Sequence, residues 1–182
     1  MADTACHVLY APLQRSLTLV LGGSETVMQL QVATWQIKCD PEATRAVYES
    51  LPLGTDCSCD QCRNFNAAAG STFPSEFITL AKRLGVDPTK PAELTHWCRE
   101  PSGLYLTGGW FHFVGSIISG VDSHQHPDGT GTVSYEVLIP GVEVALTRHN
   151  ALVPALFSGF AVCQLEFQTH VPWVLAGIEP AP

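Results

Sequence analysis

The stretch Leu104-Tyr105-Leu106-Thr107-Gly108-Gly109-Trp110-Phe111-His112-Phe113-Val114-Gly115-Ser116-Ile117-Ile118 reads as β-structure. Aromatic and β-branched residues suit a pleated, half-buried surface. A Gly-Gly pair between two such runs signals a hairpin, because both loop residues can take positive φ. Two strands, 104–107 and 110–118, are therefore expected on either side of Gly108-Gly109. Toward the C-terminus, residues 119–131 form a polar loop. Val133, Tyr135, Val137 and Ile139 then alternate up to Pro140-Gly141, and Val142, Val144 and Leu146 alternate after it. Residues 150–159 read as a loop or helical turn. Residues 160–169 form a last long strand with Ala161, Cys163, Leu165 and Phe167 on one face.

Toward the N-terminus the periodicity changes. Phe77, Leu80, Ala81 and Leu84 share one face of a helix over 74–84. Gly85 stands where a left-handed cap is needed, and Val86 can close a Schellman motif. A shorter helix fits 63–69, ended by Gly70. Asp40-Pro41 opens another helix, with Asp as cap, Pro in the first turn and Ala43, Ala46 and Val47 as its apolar stripe. Pro52 stops it near Leu51. Before it, residues 16–21 and 27–37 read as strands around the turn Gly22-Gly23-Ser24. The alternation of the second slips at Val32-Ala33, which predicts a β-bulge. The order is an N-terminal hairpin, two or three inserted helices and a C-terminal meander. It predicts an α+β fold with a mainly antiparallel sheet. Neither G-x-G-x-x-G nor a P-loop is present.

At 182 residues the chain fits one domain, with a core that needs no metal or disulfide merely to exist. Hydrophobic residues at 46% and charged ones at 14% favour strands and turns over long solvated helices. A net charge of −8 with only 9 Lys and Arg excludes nonspecific nucleic-acid binding. An acidic surface suits a basic protein partner or a homo-oligomer, or simply keeps the chain soluble. No apolar run approaches the roughly 20 residues of a membrane span. Residues 1–6 lack a basic and an apolar region, so no signal peptide is read there. Seven cysteines then point to reduced cytoplasmic thiols, a metal site or both.

The chemistry concentrates in Cys57-Ser58-Cys59-Asp60-Gln61-Cys62. Cys59 and Cys62 have the C-x-x-C spacing that aims two sulfurs at one zinc ion, and Cys57 adds a third. Three donors within six residues do not readily close a tetrahedron, so the fourth comes from elsewhere. Cys98, in His96-Trp97-Cys98, leads, with His96 and Cys39 behind it. The candidate metal ligands are thus Cys57, Cys59, Cys62 and Cys98, with zinc as the cofactor. A redox pair at Cys59/Cys62, activated by a following helix N-terminus, is the alternative; Asp60 disfavours it. Otherwise the cysteines simply pack, as Cys6, Cys39 and Cys163 suit best.

Other motifs carry less. His124-Gln125-His126-Pro127-Asp128 reads as a solvated loop. His112 shares a strand face with Trp110 and Val114 and reads as a core histidine rather than a base. Asp122, Asp128 and Glu136 have no evident partners. Neither G-x-S-x-G nor H-E-x-x-H occurs, and no base is placed beside a nucleophile. A non-catalytic or binding role is favoured; a thiol enzyme and an acidic inhibitor or immunity-type protein are the alternatives.

Four segments resemble, in their order, an uncharacterised family of bacterial proteins with no assigned activity. They are Cys57-x-Cys59-x-x-Cys62-x-Asn64-Phe65, the helix exit Leu84-Gly85-Val86-Asp87, the Tyr105-x-x-Gly108-Gly109-Trp110-Phe111-His112-Phe113-Val114-Gly115 hairpin and the Val171-Pro172-Trp173-Val174 tail. The resemblance implies a bacterial, cytosolic protein and carries over no catalytic residue.

Overall fold

A computed structural model of the chain describes residues 27–53, 57–126, 131–177 and 179. The first strands, β1 (Met28–Val32) and β2 (Trp35–Cys39), form an antiparallel hairpin with Val32 opposite Trp35. The slip at Val32-Ala33 is thus a two-residue turn and not a bulge. Ala33 takes φ 44 to make it. Residues that face each other across such a turn point to the same side, which breaks the alternation as a bulge would. The strand expected over 16–21 lies outside the described residues.

Helix α1 (Pro41–Ser50) is capped as expected, with the Ala43 amide donating to Asp40 Oδ1 at 3.0 Å. Its buried stripe is Thr44, Val47 and Tyr48, while Ala46 is exposed. Helix α2 (Asp60–Thr72) runs past Gly70, and α3 (Ser75–Leu84) ends at Gly85 with φ 78. The Val86 amide donates to Ala81 O at 2.9 Å and that of Gly85 to Lys82 O at 3.2 Å, the expected Schellman pair.

Strand β3 (Glu93–Arg99) was not foreseen in the sequence. It pairs with β4 (Tyr105–Ser119), a single 15-residue strand that runs straight through Gly108-Gly109. The expected hairpin is therefore wrong, and the glycines have another cause. A Cβ on Gly109 would lie 2.2 Å from the Glu93 carbonyl oxygen, and one on Gly108 would lie 2.2 Å from the Trp97 ring. Close approach of neighbouring groups, not a turn, demands them. Strands β5 (Glu136–Ile139), β6 (Val142–Thr147) and β7 (Val162–Val171) complete an antiparallel seven-stranded sheet in the order β1-β2-β4-β7-β6-β5, with β3 also on β4. The fold is α+β, as the sequence predicts.

One edge of β4 pairs with β7 from Tyr105 to Val114; the other pairs with β3 up to Trp110 and with β2 from Gly115. Helix α1 fills the gap between. Thr44 Oγ1 accepts from the Val114 amide at 2.9 Å, and Tyr48 Oη both accepts from the His112 amide and donates to its carbonyl, at 3.2 and 3.1 Å. This explains why Thr44 and Tyr48 are buried: unmet backbone groups there would cost about as much as lost hydrogen bonds.

Alternation along β4 and β7 divides the sheet into two faces. Phe111, Leu165 and Phe167 pack under the helices with Phe65, Phe73 and Phe77, where Phe73 and Phe77 stack at 4.3 Å. His112, Gln164 and Glu166 take the opposite phase, on the outer face. Cys39 and Cys163 are both buried, and burial pushes each thiol up to about 12.

Candidate metal centre

The cluster sits at the start of α2. Cys59 is the N-cap residue, and its sulfur accepts from the Cys62 amide at 3.5 Å. Capping geometry turns the chain so that residues three apart face the same way, which aims the sulfurs of Cys59 and Cys62 together. The sulfurs of Cys57, Cys59 and Cys62 all lie within 4.8 Å of one another, close enough to hold a metal ion. No disulfide joins the described cysteines. The Cys62 amide, helped by the Cys57 and Cys62 thiols and the Gln61 amide, holds the Cys59 thiol below its ordinary value. Asp60, expected to oppose this, pairs outward with Arg63 at 2.9 Å.

The neighbouring donor is His96. Its Nε2 stands 3.7 Å from Cys62 Sγ, and its Nδ1 lies 3.3 Å from Thr107 Oγ1. The Thr107 hydroxyl can give its own proton to the Tyr105 carbonyl at 3.3 Å, which leaves its oxygen able to accept from His96. In the tautomer protonated at Nδ1, the lone pair of Nε2 faces the sulfur. Burial lowers the His96 pKa, which favours the neutral ring, the form that ligates metal.

Cys98 is not brought to the cluster. A bulge in β3 sets His96 opposite Thr107 but Cys98 opposite Leu106. Adjacent residues of β4 point to opposite faces, so Cys98 turns to the outer face and is exposed, while His96 turns to the helix side. Cys39 is further removed. It pairs with Gly115 of β4 whereas His96 pairs with Thr107, which puts them about 26 Å apart along the sheet at about 3.3 Å per residue.

Next to His96, Asn64 uses both ends of its amide on the segment after β7. Its Nδ2 donates to the Pro172 carbonyl at 2.9 Å, and its Oδ1 accepts from the amides of Val174 at 2.7 Å and Leu175 at 3.4 Å. The Cys62-x-Asn64 and Pro172-Trp173-Val174 motifs, distant in sequence, are thus two halves of one contact.

The outer face holds a second polar cluster that the sequence reading missed. Glu166 accepts from His124 Nε2 at 2.6 Å, Gln164 Nε2 at 2.9 Å and Tyr135 Oη at 3.1 Å. The pair is sealed, with the side chain of His124 9% and that of Glu166 8% exposed. Burial first, and the Glu166 carboxylate second, raise the Tyr135 pKa. The cluster fastens His124 and Tyr135 over the sheet. Only the polar phase Gln164-Glu166-Gln168 of β7 signals it, and that phase reads as an ordinary solvated face. Asp122, read as unpaired, accepts from the backbone and the guanidinium of Arg148 at 2.9 and 3.4 Å. Asp128 lies outside the described residues.

Comparison with protein-family models, with curated proteins and with solved structures finds no match to this chain. Among the described residues no helix is long and apolar enough to cross a membrane.

Proposed function

We propose that this is a zinc-holding domain in which Cys57, Cys59, Cys62 and His96 ligate one structural Zn²⁺. The reading is carried by the three-sulfur group of Cys57, Cys59 and Cys62, with His96 approaching one of its members, Cys62. Tetrahedral zinc, with bonds of about 2.3 Å to sulfur and about 2.1 Å to nitrogen, separates an S and an N ligand by about 3.6 Å. Cys62 Sγ and His96 Nε2 are 3.7 Å apart. Thr107 supplies the hydrogen bond to the second ring nitrogen that metal-bound histidines usually make. Such a centre ties the start of α2 to β3. Its role is to hold the fold or present a surface, and the donor set of three thiolates and an imidazole favours zinc over oxygen-seeking cations.

The test is metal content by mass spectrometry on untagged, chelator-free protein, with thiols counted before and after denaturation. About one zinc per chain is expected, lost in Cys59→Ser, weakened in His96→Ala and retained in Cys98→Ser. A roughly 10- to 100-fold loss of affinity is expected for Thr107→Val. Zinc lost in Cys98→Ser but kept in His96→Ala would reassign the fourth ligand. A second reading, thiol–disulfide chemistry at Cys59/Cys62, draws support from the exposure of Cys59 and its lowered pKa. Absence of metal together with two missing thiols would favour it.

A further inference from the structure

We infer that the metal centre latches the segment after β7, so that residues 172–177 and Glu179 are docked when metal is bound and released when it is lost; this rests on the metal reading above. The segment spans the two elements that the metal would join. One end is held by Asn64 of α2, two residues after Cys62, through contacts to Pro172, Val174 and Leu175. The other is held by Arg99 of β3, three residues after His96, which donates to Glu179 at 2.8 Å. Tyr105 Oη also donates to Glu179, at 2.9 Å. The ligands Cys59 and Cys62 stand on α2 and His96 on β3, so one ion sets the distance that the segment must bridge.

The two sites also share a wall. Asn64, His96, Tyr105, Thr107 and Trp173 line a single cavity of about 10 Å³, too small for more than a water molecule. A shift of His96 is therefore felt by Trp173, whose ring lies 5.6 Å from that of Tyr105. Among the described residues the other anchors are the Trp173 ring against Tyr105, the Tyr105 hydroxyl on Glu179 and the Arg99–Glu179 pair. The Arg99–Glu179 pair is about one-third exposed on both sides, and such pairs contribute little. Val174 is 48% exposed. Asn64 makes three of the segment's contacts and stands in the first turns of α2, next to the ligands that the metal would hold. Coupling of this kind is reciprocal, so a docked segment tightens metal binding by the same factor.

The test is amide hydrogen exchange on the full chain with saturating zinc and after EDTA, with metal content measured on the same samples. Zinc removal should speed exchange at Val174 and Leu175 by roughly 5- to 150-fold, the usual range of coupling between sites, with Leu165 in β7 unchanged. Asn64→Ala should exchange fast at both amides in both conditions while still holding about one zinc per chain at saturation. Bound zinc with equal protection in both states would overturn the latch and leave the metal reading standing. No bound zinc would overturn both. Equal acceleration at Leu165 would show that metal supports the whole fold, and would also overturn the latch. If Asn64→Ala does not fold, the comparison of the natural chain with and without zinc decides.

Discussion

The imidazole of His112 is 1% exposed and packs edge-on to Phe157 with ring centroids 5.9 Å apart. Burial lowers its pKa from the ordinary 6.5 to about 4, against weaker opposing contacts from Gln164 and Ala151. The folded state therefore binds fewer protons than the unfolded chain between those values. Stability from this group is complete above pH 6.5 and is lost as pH falls toward 4, by an amount on the order of 3 kcal/mol. Urea midpoints at pH 7 and pH 4.5 should show this fall, and His112→Gln should flatten it; an unchanged slope would mean that another group is responsible. The core character of His112 was legible from its strand phase. Cys57, Cys59 and Cys62 were legible because their neighbourhood is local in sequence. That β3 turns His96 toward the cluster and Cys98 away from it was not, since this hangs on a bulge in a strand with no alternating signal. Glu166 was missed for a related reason: a polar phase on a strand looks the same whether water or a loop covers it.

Gly108 and Gly109 sit side by side on β4, yet the obstacles to a side chain differ. At Gly109 the nearest atom is the backbone oxygen of Glu93, which cannot move without breaking the β3–β4 pairing. At Gly108 it is the ring of Trp97, a side chain 45% exposed and able to swing away, although the Phe167 carbonyl oxygen remains at 2.9 Å. Gly109→Ala should accordingly destabilise by about 3 kcal/mol or more and Gly108→Ala by about 1–2 kcal/mol, as read from chemical unfolding. Equal effects would show that backbone freedom, not contact, explains the pair. Helix α3 and its exit could be read from sequence because stripe, cap and Schellman contact are all local. The Gly-Gly pair and the Ala33 turn were misread because a glycine demanded by a distant neighbour looks like one demanded by a turn, and a reversal mimics a slip of phase. The stripe of α1 was misplaced because Thr44 and Tyr48 are buried to serve β4, not for their hydrophobicity.

Helices cover one face of the sheet, and loops fastened by Glu166 cover part of the other. The candidate metal centre lies where the first layer meets the sheet, between α2 and β3. Anything that binds only the folded state stabilises it by mass action. Free zinc at about 100 times its dissociation constant would add about 2.7 kcal/mol, or about 5–10 °C in Tm for a chain of this size. Scanning calorimetry with zinc and with EDTA should show that gain, and Cys59→Ser should remove it. A gain that survives in Cys59→Ser would place the stabilising metal elsewhere. The gap in the edge of β4 has a further consequence. Because Thr44 and Tyr48 stand in for a missing strand, the few residues from Cys39 to Thr44 act as a ruler of fixed length. One added residue there would turn α1 by about 100° and carry both hydroxyls off the exposed strand. Insertions and deletions should thus be selected against in this short connection, although its side chains face no candidate site, while substitutions that keep its length and cap are free to accumulate.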